Sequence, residues 1–135
     1  MSEYIMITKF PSVADYCRLR VATGLSPKTL EAATAGLAGT WFGVSIIHRD
    51  EVVGMARIIG DGGCFFQLVD LAVAPAHQGR GLAARIMSAL VDHVRQHAPA
   101  SAYVTLFADG TIGRLHERFG FTPTAPGSTG MHLRL

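Results

Sequence analysis

Cysteine is nearly absent. Only Cys17 and Cys64 occur in 135 residues, far apart and in no metal-binding spacing. Neither a disulfide framework nor a cysteine-ligated zinc site is expected, and both read as free thiols in a reducing compartment. Charge is also sparse: 16% of residues are charged against 49% hydrophobic, with a formal net charge of +2. That balance excludes a disordered chain. No Lys/Arg cluster marks a nucleic-acid groove, and no apolar run exceeds strand length, so no bilayer-spanning segment is expected. Residues 1–10 carry Glu3 and Lys9 and lack the apolar core of a secretory signal, which makes a cytoplasmic location the expectation. His48, His77, His93 and His97 lack metal-ligand spacing; His93 and His97 stand i, i+4 without a third ligand, so no metal is expected.

What the chain does have is a glycine-bearing turn in a telling place. Gln78-Gly79-Arg80-Gly81-Leu82-Ala83 follows the apolar run Leu68 to Ala74 and Pro75, and precedes a helical pattern from Ala83 to about Gln96. A strand ends, a turn follows and a helix begins. N–H groups at a helix start have no intrahelical partner and carry partial positive charge, which makes an anion site suited to phosphate. Gly79 and Gly81 have no Cβ to block close approach to the main chain. No Lys-Ser or Lys-Thr follows the glycines, and the residue three after Gly81 is Ala84, so neither the P-loop nor the dinucleotide fingerprint fits.

The rest of the chain reads as one domain over 1–135 with a mixed α/β sheet. Strands are predicted over Tyr4–Phe10, Trp41–His48, Val52–Ile59, Cys64–Ala74, Ala102–Phe107 and Met131–Leu135. Helices are predicted from Pro11-Ser12 to about Ala22 and from Lys28 to about Leu37 behind a Ser26-Pro27 cap. Two more are predicted over Ala83–Gln96 and Thr111–Phe119. The order is β-αα-β-β-β-α-β-α-β. The three middle strands should be antiparallel, and the 64–74 strand, its helix and the 102–107 strand should form a right-handed crossover. Near-continuous apolarity puts the 64–74 strand at the centre, buried on both faces. Leu82, Ile86, Met87, Leu90, Val91 and Val94 share one helix face and read as core.

Gln78, Gly81 and Ala83 fit the pattern [Gln/Arg]-x-x-Gly-x-[Gly/Ala], and with the element order the chain resembles the GNAT superfamily of acyl-CoA-dependent N-acyltransferases. The resemblance covers nearly the whole chain, most specifically residues 64–121. Asp70-Leu71-Ala72-Val73, Thr105 to Asp109, Gly120-Phe121 and Gly130-Met131 look like the plant and cyanobacterial serotonin N-acetyltransferase branch. The resemblance implies a mostly antiparallel sheet with a splayed parallel strand pair that binds acyl-CoA. It also implies an N-acetyltransferase using acetyl-CoA as co-substrate, a small-molecule amine as acceptor, and a homodimer formed through the C-terminal strand. Gln78, Gly79, Arg80, Gly81, Leu82 and Ala83 would hold the pyrophosphate. Leu71, Ala72 and Val73 would pair with pantetheine, a backbone N–H at or beside Leu71 polarising the thioester oxygen. Asp109 stands where many members have a pantetheine-binding Asn.

Two side chains are candidates for proton transfer. Asp70 interrupts an apolar strand, where a carboxylate is costly unless paired or wet. It reads either as a general base or as a buried structural partner for an arginine or backbone group. Gln67 stands near where some members carry a glutamate base; it cannot take a proton, though it can orient a water. His116, in Leu115-His116-Glu117-Arg118-Phe119-Gly120-Phe121, occupies the position of the family's usual tyrosine acid. It reads as an acid for the leaving thiolate or as a helix residue without that role. Arg18, Arg20 and Arg57 read as amphipathic side chains with heads in water, or as contacts to an acidic acceptor. Tyr16, Trp41, Phe42, Phe65 and Phe66 read mostly as core, with one or two available to an acceptor pocket. Two other readings stay open: a CoA-binding regulatory module with little transferase activity, and a protein or peptide N-terminal acetyltransferase.

Overall fold

A computed structural model describes residues 3–108 and 113–135. Along the chain run β1 (Ile5–Ile7), α1 (Val13–Ala22), α2 (Leu30–Leu37), β2 (Phe42–His48), β3 (Glu51–Gly60) and β4 (Phe65–Val73). A 3-10 turn follows (Pro75–His77), then α3 (Leu82–His97), β5 (Tyr103–Thr105) and α4 (Gly113–Glu117). Among the described residues the strands form one five-stranded sheet in the order β1-β2-β3-β4-β5. β1 to β4 are antiparallel neighbours, and β4 and β5 are parallel. This is the expected mixed, mostly antiparallel α/β sheet.

α3 covers one face. Leu82, Ile86, Met87, Leu90, Val91 and Val94 are its buried residues, packed with Val44, Ile46, Ile58, Phe66 and Leu68 of the sheet. Each fully buried side chain of this size contributes roughly 1.5–3 kcal/mol, far above helix-propensity differences of under ~1 kcal/mol, so burial seats the helix. α1 and α2 cover the other face through Tyr16, Leu19 and Ala33 against Met55 and Ala72.

The structure corrects five expectations beyond shifts of a residue at element ends. β1 is three residues, not seven. α2 is capped by Thr29, whose side chain accepts from Ala32 N–H; the carbonyl and hydroxyl of Ser26 instead accept from Arg20, so Ser26 does not cap. β5 stops at Thr105, because it pairs with β4 only over Phe65–Gln67. β4 is not buried throughout, since Phe65 is exposed. Residues 131–135 form no strand, and Met131, Leu133 and Leu135 are exposed. The predicted helix from Thr111 appears as α4, and its first residues lie outside the described ones.

Candidate active site

Two irregularities of β4 build the site. The first is a bulge. Met55 pairs with Ala72 and Arg57 with Val69, so Asp70 and Leu71 together face the single residue Ala56. Asp70 absorbs the extra residue with φ +62°, a left-handed conformation that Asp tolerates better than most residues. The bulge resets the alternation of the strand. Phe66 and Leu68 pack in the α3-side core, whereas Ala72 packs on the α1 side and Leu71 and Val73 move to the α3 side. The second irregularity is the short β4–β5 pairing. Beyond Gln67 the strands part, so residues 68–73 of β4 have no β5 partner.

The glycine turn lies at the far end of this opened edge. Gly79 and Gly81 have φ +77° and +76°, and Gly81 is the N-cap of α3 without any side-chain capping bond. A Cβ added at either glycine would meet nothing within 4 Å, so the main chain there is open to a ligand. Gln78 Nε2 donates to the Val73 carbonyl at 3.0 Å, tying the turn to the strand end. A cavity of about 450 Å³ runs along Leu71–Val73, Gln78, Gly79 and Gly81 to Ala84. The exposed Arg80 does not line it. Across it stands Arg118, a cation that the sequence reading did not single out.

A smaller cavity of about 120 Å³ occupies the fork between β4 and β5 and shares Leu25 and Leu71 with the first. His116 of α4 enters it. This side chain is 6% exposed, and its Nδ1 is buried with no hydrogen-bond partner among the described residues. Burial holds its imidazole below the ordinary value of 6.5, so it is neutral at neutral pH.

A third cavity, about 310 Å³, opens on the α1 side and shares Arg20, Leu68, Val69, Asp70 and Phe107 with the fork. Here the carboxylate of Asp70, 4% exposed, meets two guanidiniums. Arg20 Nη1 donates to Oδ1 at 2.6 Å and Arg57 Nε to Oδ2 at 2.7 Å. The Tyr16 hydroxyl donates to Oδ1 at 3.1 Å. Burial, and then the Asp70 charge, raise the Tyr16 phenol above 10.0, which keeps it a donor. The two candidate proton carriers therefore have opposite surroundings: Asp70 is fully engaged and His116 is not. The arginine partner weighed for Asp70 is present twice. Arg20 and Arg57, each 8% exposed, do not hold their heads in water, as an amphipathic reading expects. Arg18 does remain on the surface, beside Asp15 and Glu51.

Asp109 lies outside the described residues. Gln67 lines the third cavity. Among the described residues no group of three or more metal-ligating side chains occurs, and no helix is long and apolar enough to cross a membrane. His93 stacks on Phe42 with centroids 3.6 Å apart and lies 4.1 Å from His97.

Residues 15–134 match the model of the acetyltransferase (GNAT) domain. A crystal structure of a protein of unknown function from Staphylococcus aureus, described as a probable acetyltransferase, is 40% identical over 98% of this chain and 100% of that one, with a TM-score of 0.93. An uncharacterized N-acetyltransferase of Pyropia yezoensis is 24% identical over 95% of this chain and 75% of its own length. A GNAT family acetyltransferase from Streptococcus pneumoniae shares the fold at 22% identity, with a TM-score of 0.78 over 98% of both chains. With a family model spanning most of its length and a well-covered relative at this identity, the chain belongs to the GNAT family of N-acetyltransferases.

Proposed function

We propose that the chain transfers an acetyl group from acetyl-CoA directly to the primary amine of a small molecule in a ternary complex. The observation that carries this reading is that three cavities adjoin in series, each sharing wall residues with the next. They lead from the glycine turn, through the β4–β5 fork, to the chamber beside Asp70. In this reading the pyrophosphate sits on the free N–H groups at the start of α3, with Arg118 facing it. The pantetheine lies along the unpaired 68–73 edge, and the thioester reaches the fork. The bulge turns the Leu71 N–H toward the thioester oxygen, where it stabilises the developing oxyanion.

His116 fits the proton transfer better than Asp70. Its imidazole is neutral, has a free nitrogen and sits in the fork. The acceptor amine loses its first proton to water as the ammonium is neutralised. As the amine attacks, the C–N bond forms and the C–S bond breaks. The His116 imidazole takes one of the two remaining protons and returns it to the departing sulfur, the last staying on the amide, so His116 serves as base and then as acid. Asp70 holds Arg20 and Arg57 in place and orients the bulge.

Initial-rate kinetics with both substrates varied test the reading. Intersecting double-reciprocal lines are expected for direct transfer. Parallel lines, with a burst of acetyl-enzyme, contradict it.

A further inference from the structure

We propose that the chamber beside Asp70 is an anion subsite, and that the acceptor is a primary amine carrying a carboxylate or phosphate group. The proposal rests on the acetyl-transfer reading for its amine end and on the chamber alone for its anionic end.

The cavity is lined by three cations, Arg20, Lys28 and Arg57, and by one carboxylate, Asp70. Two of the cations are buried guanidiniums that share this single counter-charge. A buried cation is costly without a full partner, so the chamber is one negative charge short before Lys28 is counted. The arginines are also held in place. Arg20 is clamped by the carbonyl and hydroxyl of Ser26. Arg57 Nη1 donates to the Gly36 carbonyl and Thr40 Oγ1, and its guanidinium lies over the Phe10 ring, 5.7 Å from the centroid. Its Nη2 donates to no acceptor among the described residues. Lys28, exposed on the segment between α1 and α2, forms no ion pair among the described residues. The free Nη2 of Arg57 and the exposed ammonium of Lys28, lining one cavity, suit an oxyanion, to which both can donate. A volume of about 310 Å³ is at the small end of ligand sites. The chamber adjoins the fork that holds His116, so an acceptor anchored here by its anion points its amine toward the proton carrier.

Matched acceptor pairs test this: tryptophan against tryptamine, phenylalanine against phenethylamine, and phosphoethanolamine against ethanolamine. Thiol release from acetyl-CoA is the readout. At least a tenfold higher kcat/KM for the anionic member of a pair is expected, about 1.4 kcal/mol of discrimination. The pair that responds separates carboxylate from phosphate. Lys28→Gln, at an exposed position, and Arg57→Lys, which keeps the charge beside Asp70 but loses the fork, should each raise KM for the anionic acceptor by roughly tenfold without changing KM for acetyl-CoA. A second readout needs no turnover. Inorganic phosphate, titrated calorimetrically into Gly81→Val to silence the glycine turn, should bind saturably, and that binding should be lost in Lys28→Gln. Equal or better turnover of the uncharged amines, or phosphate binding indifferent to Lys28 and Arg57, overturns the anion subsite and leaves acetyl transfer standing. If no amine releases thiol and acetyl-CoA does not bind, the transfer reading falls, and the phosphate titration alone decides the subsite.

Discussion

Arg57 and Asp70 meet across the β3–β4 ladder, Nε to Oδ2 at 2.7 Å, with side chains 10% and 4% exposed. The contact joins the bulge to the third cavity, because Asp70 is the left-handed residue of the bulge and Arg57 lines that cavity. It also supplies the first prediction. Asp70→Asn leaves two buried guanidiniums without a counter-charge, and breaking buried pairs of this kind costs about 3–5 kcal/mol. Thermal unfolding should shift down by about 10 °C or more. A variant that kept its melting temperature and lost only turnover would contradict this structural role.

The glycine turn makes a separate prediction. Gly81→Ala meets no neighbour in the protein, so its cost comes from φ +76°, about 1–2 kcal/mol for a residue with a Cβ. The new methyl group also points into the space assigned to the pyrophosphate. Acetyl-CoA affinity measured by calorimetry should fall by more than the stability loss explains, and Gly81→Val should abolish it.

For His116 the sign of the pH effect separates base from acid. Burial holds its imidazole below 6.5. As a base it must be neutral to begin the reaction, so kcat/KM corrected for the fraction of neutral amine should rise with pH through a midpoint below 6.5 and level off by neutral pH. His116→Tyr should then be nearly inactive. A His116→Tyr variant that keeps or exceeds wild-type activity would restore the acid role that the family's tyrosine suggests.

Histidine burial also sets an acid limit to stability. Burial, and secondarily the neighbouring His97, hold His93 below 6.5, and burial does the same for His116. Below pH 6.5 the unfolded chain therefore binds protons that the native state does not. The stabilisation is fully present above pH 6.5 and is lost as pH falls through the depressed folded values. Melting temperatures should drop between pH 7.5 and pH 5. His93→Phe, which keeps an aromatic ring on Phe42, should reduce that drop, and an unchanged slope in the variant would remove His93 as a cause.

Much of the fold was legible where burial follows periodicity. The α3 face from Leu82 to Val94 is buried residue for residue as its spacing requires, and the strand–turn–helix order around Gly81 is present, with Gly81 as the N-cap of α3. What was not legible depends on partners distant in sequence. A bulge is a mismatch between two strands, so nothing local to Asp70 marks it, although a lone carboxylate in an apolar run was a hint. Arg20 on α1 and Arg57 on β3 look like surface arginines until both reach the same carboxylate. Ser26 has the composition of a helix cap but is occupied by Arg20. Met131, Leu133 and Leu135 alternate as a strand does, yet a strand needs an edge to pair with, and residues 131–135 have no ladder.

The most direct test of the central claim is thiol release from acetyl-CoA across amines of several classes, with the acetylated product identified by mass spectrometry. The classes are indoleamines, phenylethylamines, polyamines, amino acids, aminoglycosides and short peptides. The account predicts saturable release with a small primary amine, abolished in Gly81→Val and strongly reduced in His116→Gln. Silence across every class, together with no acetyl-CoA binding by calorimetry, would contradict it.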